Sequence, residues 1–133
     1  MNNKEYVDLV NNGQYPEDIT VPLDKPFEDE RGVIQNLWLG TSGSLTLITS
    51  KKGSIRAKHH HTNDWHAMYV ISGKFKYTEK PDIEKVYSVG EMVFTKPGVY
   101  HVVEFLEDSI VITINNIVKN HENYEKDVVR DSK

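Results

Sequence analysis

The stretch "KKGSIRAKHHHTNDWHAMYVISG", Lys51 to Gly73, carries four of the chain's six histidines, at positions 59, 60, 61 and 66. It reads as two strands, 54–60 and 66–72, joined by the turn "TNDW". Side chains on a strand alternate between faces, so His59 and His61 share one face and His60 points the other way. His66 opens the returning strand, where a hairpin can bring it back beside the pair. Further on, "GEMVFTKPGVYHVVEF" places a Pro97-Gly98 turn before another strand that begins at His101. In a closed sandwich, His59, His61, His66 and His101 can converge inside one mouth. That convergence follows from a fold and not from spacing alone. His60 is expected at the surface, and so is His121 near the C-terminus.

Beyond this stretch, short runs rich in Val, Ile, Thr, Tyr and Phe recur after "DERG", separated by Gly, Pro, Asn, Asp or Ser. Strands are expected at 33–39, 44–50, 54–60, 66–72, 74–79, 84–89, 91–95, 100–105 and 109–116. With no convincing helix between them, the pattern indicates an all-β sandwich or barrel. Residues 1–30 read as a polar arm. In it Tyr6, Val7, Leu9 and Val10 suggest one short amphipathic turn, and Pro16, Pro22 and Pro26 forbid a long helix. Residues 119–133 read as a charged tail whose Tyr124, Val128 and Val129 pack on the body. The expected organisation is an arm at 1–30, one β-barrel domain at 31–118 and a packed tail at 119–133.

Composition narrows the function classes. The 133 residues are 38% hydrophobic and 27% charged with a net charge of −4, which argues against a nucleic-acid partner. No window approaches the roughly 18 apolar residues needed to span a membrane, and no leader peptide is apparent, so a cytoplasmic protein is expected. The chain has no cysteine, which excludes disulfides, thiolate metal sites and cysteine nucleophiles. Any metal has to be held by His, Asp or Glu.

The residues of the opening stretch carry a resemblance. Five residues separate Gly53 from His59, one separates His59 from His61, four separate His61 from His66, and six separate His66 from Gly73. This resembles the first cupin motif, with His at position 66 where the family usually has Glu. "GEMVFTKPGVYH" resembles the second motif through Gly90, Pro97, Gly98 and His101, with Phe105 where the motif closes on Asn. The resemblance implies a double-stranded β-helix, the cupin jelly roll, and a homodimer.

A narrower resemblance runs from residue 28 to 131. "EDERGVIQNL", "RAKHHH" and "YEKDVVRD" are similar to elements of RmlC-like cupins that act on sugar nucleotides, the dTDP-4-keto-sugar 3,4-ketoisomerases and 3,5-epimerases. Asp29, Arg31 and Gly32 match one element, and Arg56, His59 and His61 match another. Ala57 and Thr62 depart from it, replacing Gly and Lys. The ketoisomerase group commonly has Gln at position 66 and works without metal.

The resemblance implies an enzyme of keto-sugar isomerase or epimerase type serving polysaccharide biosynthesis, with a sugar or sugar nucleotide as its small-molecule partner. Such chemistry needs a base near neutral pH, and imidazole supplies one at His59 or His61. Tyr69, Tyr77 or Tyr100 could donate to an enolate, and Arg56 could offset its charge or hold a phosphate. Strict alternation, however, sends Arg56 outward with Lys58 and His60, and only a bulge would turn it in. Two rivals stand beside this reading. In one, His59, His61, His66 and His101 bind a divalent metal (Zn, Fe, Mn, Ni or Cu) for oxygenase or lyase chemistry on a non-sugar substrate. In the other, the cupin binds a ligand and catalyses nothing. Trp65 is expected either to shield the mouth or, in preference, to sit at a subunit contact, with Glu104 at the surface, Met68 on the pocket floor, Val70 in the core, and Gly32 in a turn closed to larger residues.

Overall fold

Glu5 stands three residues after Asn2, the spacing at which two side chains cap a helix start reciprocally. Asn2 Oδ1 accepts from the Glu5 backbone N–H at 2.9 Å, and Glu5 Oε1 accepts from that of Asn2 at 3.1 Å. In the computed structural model, which describes residues 1–117 and 128–130, this box opens helix α1, Asn3–Asn11. The expected short turn is therefore a full helix of nine residues, with Tyr6, Val7 and Val10 buried at helical spacing.

The first compact unit runs from Met1 to Thr41. Asn3 accounts for its extending past the expected arm: its amide donates to the carbonyls of Pro22 and Leu37, and its Oδ1 accepts from the Leu39 N–H. One buried side chain thus fastens three stretches of chain. Strands β1 (Phe27–Asp29) and β2 (Gly32–Ile34) form a hairpin in this unit, and Gly32 has a φ of +140° at its turn. The strand expected at 33–39 stops at Ile34. Beyond it, backbone and side-chain groups bond to Asn3 and Asp24 in place of a sheet partner.

The second unit begins at Ser42 and is all β. Its strands are β3 (Ser44–Ser50), β4 (Ile55–His61), β5 (His66–Ser72), β6 (Lys74–Glu79), β7 (Ile83–Ser88), β8 (Met92–Thr95), β9 (His101–Phe105), β10 (Ser109–Asn115) and β11 (Val128–Arg130). One antiparallel sheet has the order β3-β10-β5-β8 and the other β11-β4-β9-β6-β7. The two pack as a jelly roll. Alternation is regular in β6 and β9, so Phe75, Tyr77, Val103 and Phe105 turn inward to a core to which the other sheet contributes Val70, Phe94 and Val111. Eight of the nine expected strands match within about two residues, the exception being 33–39. The tail enters the sheet as β11, pairing Val128, Val129 and Arg130 with His61, His60 and His59. Tyr124 and His121 lie outside the described residues.

At Gly73 the chain leaves the four-stranded sheet for the five-stranded one, with φ +85°. A side chain there would press on the Asp108 carbonyl and lie 2.8 Å from the Ser109 Cα, both fixed backbone. Gly73→Ala is expected to lower unfolding free energy by about 2–4 kcal/mol, combining a disfavoured φ with backbone overlap. Urea unfolding of the two proteins measures it; a loss under half a kcal/mol would contradict this account.

Candidate functional site

The inner faces of both sheets contribute to one mouth. His59 and His61 come from β4 and His101 from β9 in the five-stranded sheet, while His66 comes from β5 in the four-stranded one. All four are buried, from 1% exposed at His101 to 8% at His66. Ring centroids lie 4.7 Å apart for His59 and His61, 5.1 Å for His59 and His101, 5.3 Å for His61 and His66, and 5.0 Å for His66 and His101. They line a cavity of about 370 Å³ with Arg56, Met68, Val103, Thr113 and Asn115. His60 is half-buried on the opposite face of β4, as alternation requires.

Arg56 reaches this cavity through a break in alternation. On β9, Val103 and His101 face inward and are buried. Arg56 pairs with Val103 and His59 pairs with His101, although two residues separate Arg56 from His59. The register shifts between Ala57 and His59, and Ala57 and Lys58 take φ values of +73° and +54°. This is a bulge: one extra residue on β4 rephases the strand and puts Arg56 on the same side as the histidines. The bulge, and not strict alternation, sets the side of Arg56, which remains exposed to solvent at the rim of the cavity. Its Nε donates to Ser50 Oγ at 2.7 Å and its Nη2 to the Thr49 carbonyl at 3.1 Å, which ties the guanidinium to β3 across the mouth.

None of the three tyrosines weighed as acids lines the cavity. Tyr69 is half-buried on the outer face of β5, because its neighbour Met68 takes the cavity side. Tyr77 is buried beside His101, and its hydroxyl donates to Glu79 Oε1 at 2.8 Å and lies 2.7 Å from Thr95 Oγ1. Burial, reinforced by the Glu79 charge, pushes the Tyr77 phenol well above its ordinary pKa, so it stays protonated. Tyr100 lies under the Lys80 ammonium, 4.3 Å from it. Trp65 is also corrected: it is 2% exposed and packs against Phe94, so it belongs to the core and not to a subunit contact. Glu104 is at the surface beside Lys76, as expected, and Val70 is in the core.

Two polar residues at the site escape sequence reasoning. Asp64, read only as part of a turn, is 2% exposed and accepts hydrogen bonds from the Asn115 amide and from the backbone N–H groups of Asn116 and Ile117. Burial raises its pKa, and these bonds together with the nearby His61 pull it back. Asn115 is the register partner of His66 and accepts from Thr113 Oγ1. The available signal was phase: Val111, Thr113 and Asn115 alternate on one face, so a polar pair continues an apolar inward row toward the histidines.

The donor set suits a metal ion. Ligand atoms of His59, His61 and His101 all lie within 4.8 Å of one another. The Val99 carbonyl can only accept, so the 3.1 Å contact to His101 Nδ1 requires the proton on that nitrogen and leaves Nε2 as the free donor pair. Burial, ahead of the charges of His61 and His60, pushes the His101 pKa down to about 4, so the ring is neutral at pH 7. His66 stands next to this group of three but is not part of it.

A family model described as the cupin domain matches residues 46–115, which is more than half of the chain. The chain belongs to the cupin family. Solved structures sharing this cupin's fold include QdtA, a sugar 3,4-ketoisomerase from Thermoanaerobacterium thermosaccharolyticum in complex with TDP. It is 18% identical with a TM-score of 0.62, over 81% of this chain and 84% of that one. WlaRA, a TDP-fucose-3,4-ketoisomerase from Campylobacter jejuni, is 12% identical with a TM-score of 0.66, over 82% and 86%. The dTDP-4-dehydrorhamnose 3,5-epimerase from Sulfolobus tokodaii is 20% identical with a TM-score of 0.59, over 76% and 71%. No curated protein matches the chain significantly. Among the described residues no helix is long and apolar enough to cross a membrane.

The bulge can be tested through position 57. At φ +73° a β-branched side chain is penalised and glycine is tolerated, the reverse of the order in an ordinary strand. Ala57→Val is expected to destabilise the cupin by about 1–2 kcal/mol, and Ala57→Gly to leave it equal or slightly more stable. Denaturant midpoints for the three proteins check the order; Val above Gly would mean a regular strand.

Proposed function

We propose that this cupin isomerises or epimerises a keto-sugar, in the manner of an enzyme acting on sugar nucleotides. The observation that carries the reading is the bulge that brings Arg56 onto the wall holding His59 and His101. A cation beside paired imidazoles is what enolate chemistry on an anionic substrate needs. The sugar-nucleotide enzymes that share the fold add support.

His59 or His61 would take the proton from the carbon next to the carbonyl. The Arg56 guanidinium would offset the charge of the enediolate or hold a phosphate oxygen. In ketoisomerisation the hydroxyl proton then passes to the former carbonyl oxygen, and the proton on the imidazole returns to the neighbouring carbon. Every proton removed is returned, so no other reactant is consumed. The polar network of Asp64, Asn115 and Thr113 would hold the opposite wall still while this happens. Leu45 and Leu47, 70% and 64% exposed on edge strand β3, would suit a subunit contact in a homodimer.

The test uses TDP-4-keto-6-deoxyglucose and related keto-sugars in deuterated water, with deuterium uptake at the carbons flanking the carbonyl read by NMR. Wild type is expected to incorporate deuterium and give product. His61→Ala should lose at least about 100-fold in rate, while His60→Ala, on the other face, should stay near wild type. Ligand that raises Tm without any exchange or product would instead make the protein a binding cupin.

The spacing of His59, His61 and His101 supports a second reading, in which the same cavity holds a divalent cation. Bound there, such a cation would supply Lewis acidity toward a substrate carbonyl or a site for dioxygen. Protein purified without a His-tag is then expected to carry about one Zn, Fe, Mn, Ni or Cu per chain by elemental analysis. His101→Ala should remove it and His66→Gln should retain more of it. Absence of metal after each ion is added back would eliminate this reading.

A further inference from the structure

Tyr77, Glu79 and Thr95 form a buried polar chain that the chemistry above does not use. They are 1%, 5% and 2% exposed, and the Tyr77 ring packs edge-on against Tyr87. A phenol carries one hydrogen, and that of Tyr77 goes to Glu79 Oε1 at 2.8 Å. The Thr95 hydroxyl, 2.7 Å from the Tyr77 oxygen, therefore donates to it. Tyr77 and Glu79 belong to β6 in the five-stranded sheet, and Thr95 to β8 in the four-stranded one. The phenolic oxygen is a polar joint between the two sheets.

The register puts this joint directly behind the histidines. Glu79 is the cross-strand partner of His101, and Thr95 is the cross-strand partner of His66. The Tyr77 ring lies along the His101 ring, with centroids 6.1 Å apart and planes 26° from parallel. His101 and His66 stand on different sheets, so nothing in either ladder sets the distance between them. Apolar packing sets it loosely, since dispersion is shallow and slides cheaply; a hydrogen bond weakens within a few tenths of an ångström. Burying three polar side chains where an apolar trio could pack also carries a desolvation cost, which a purely space-filling role would avoid.

We propose that Tyr77, clamped by Thr95 and Glu79, is a positioning residue that holds His101 and His66 in register across the two sheets. It acts through those imidazoles and does not touch substrate. The inference rests on reading the four histidines as the working groups of the site, and holds whether they serve as bases or as ligands.

The experiment is a set of imidazole ¹⁵N–¹H correlation spectra on the resting, ¹⁵N-labelled protein, so a failure of the proposed activity leaves its readout intact. Tyr77→Phe keeps the ring against His101 and removes only the joint. The His66 and His101 resonances are expected to shift or broaden, and the His101 Nδ1–H to exchange with solvent at least about tenfold faster. His60, on the outer face, should not change. Glu79→Gln, which retains an acceptor, should stay close to wild type. Thr95→Val breaks the joint from the other sheet with nearly the same volume and is expected to reproduce the Tyr77→Phe spectra, including where Tyr77→Phe fails to fold. A lowered Tm with the His66 and His101 signals and exchange unaltered would overturn the proposal and leave Tyr77 as core packing.

Discussion

The bulge in β4 is the constraint on which the mouth depends. A strand with strict alternation can aim His59 and His61 inward, but only by turning Arg56 out. Placing the extra residue between them gives the cavity a guanidinium and two imidazoles from one strand. The cost is local: two consecutive non-glycine residues in the left-handed region, about 1–2 kcal/mol each. Such a conformation persists where its surroundings over-determine it. Here β4 is enclosed by β11 on one edge and β9 on the other, and Arg56 is tied to Thr49 and Ser50 across the mouth.

Two buried polar networks then flank the histidines, one on each side. Asp64, Asn115 and Thr113 join the turn before His66 to the end of β10, while Thr95, Tyr77 and Glu79 join the sheets behind His66 and His101. No buried side-chain polar atom among the described residues lacks a hydrogen-bond partner. Fully satisfied networks rigidify the groups around them, whereas partly satisfied ones would weaken the core. A neutral, buried imidazole with one nitrogen fixed by a carbonyl, which His101 is, suits either proton transfer or coordination.

The cupin fold by itself does not select between those chemistries, because function resides in the site and many reactions share this scaffold. What distinguishes this chain is local. His66 occupies the position where a carboxylate is usual for the family motif, so a bound cation would keep its charge uncompensated by that residue. Arg56 adds a second cationic element at the rim. A cation at that rim favours ligands that carry negative charge or develop it.

The sequence by itself determined the all-β class, nearly every strand of the barrel, the shared face of His59 and His61, and the outward turn of His60. These depend on a period of two and on Gly and Pro punctuation, which are local properties. The α1 cap is likewise local, a side-chain and backbone exchange between Asn2 and Glu5 three residues apart. The phase of Arg56, the burial of Trp65 and Asp64, the outward place of Tyr69 and the internal tie of Tyr77 were decided only by tertiary structure. Each depends on a partner distant in the chain: Val103 and Ser50 for Arg56, Phe94 for Trp65, Asn115 for Asp64, Met68's packing across to β10 for Tyr69, and Thr95 for Tyr77. Alternation fixes which residues can share a face, but a single inserted residue reverses it, and only the pairing of strands records where that insertion falls.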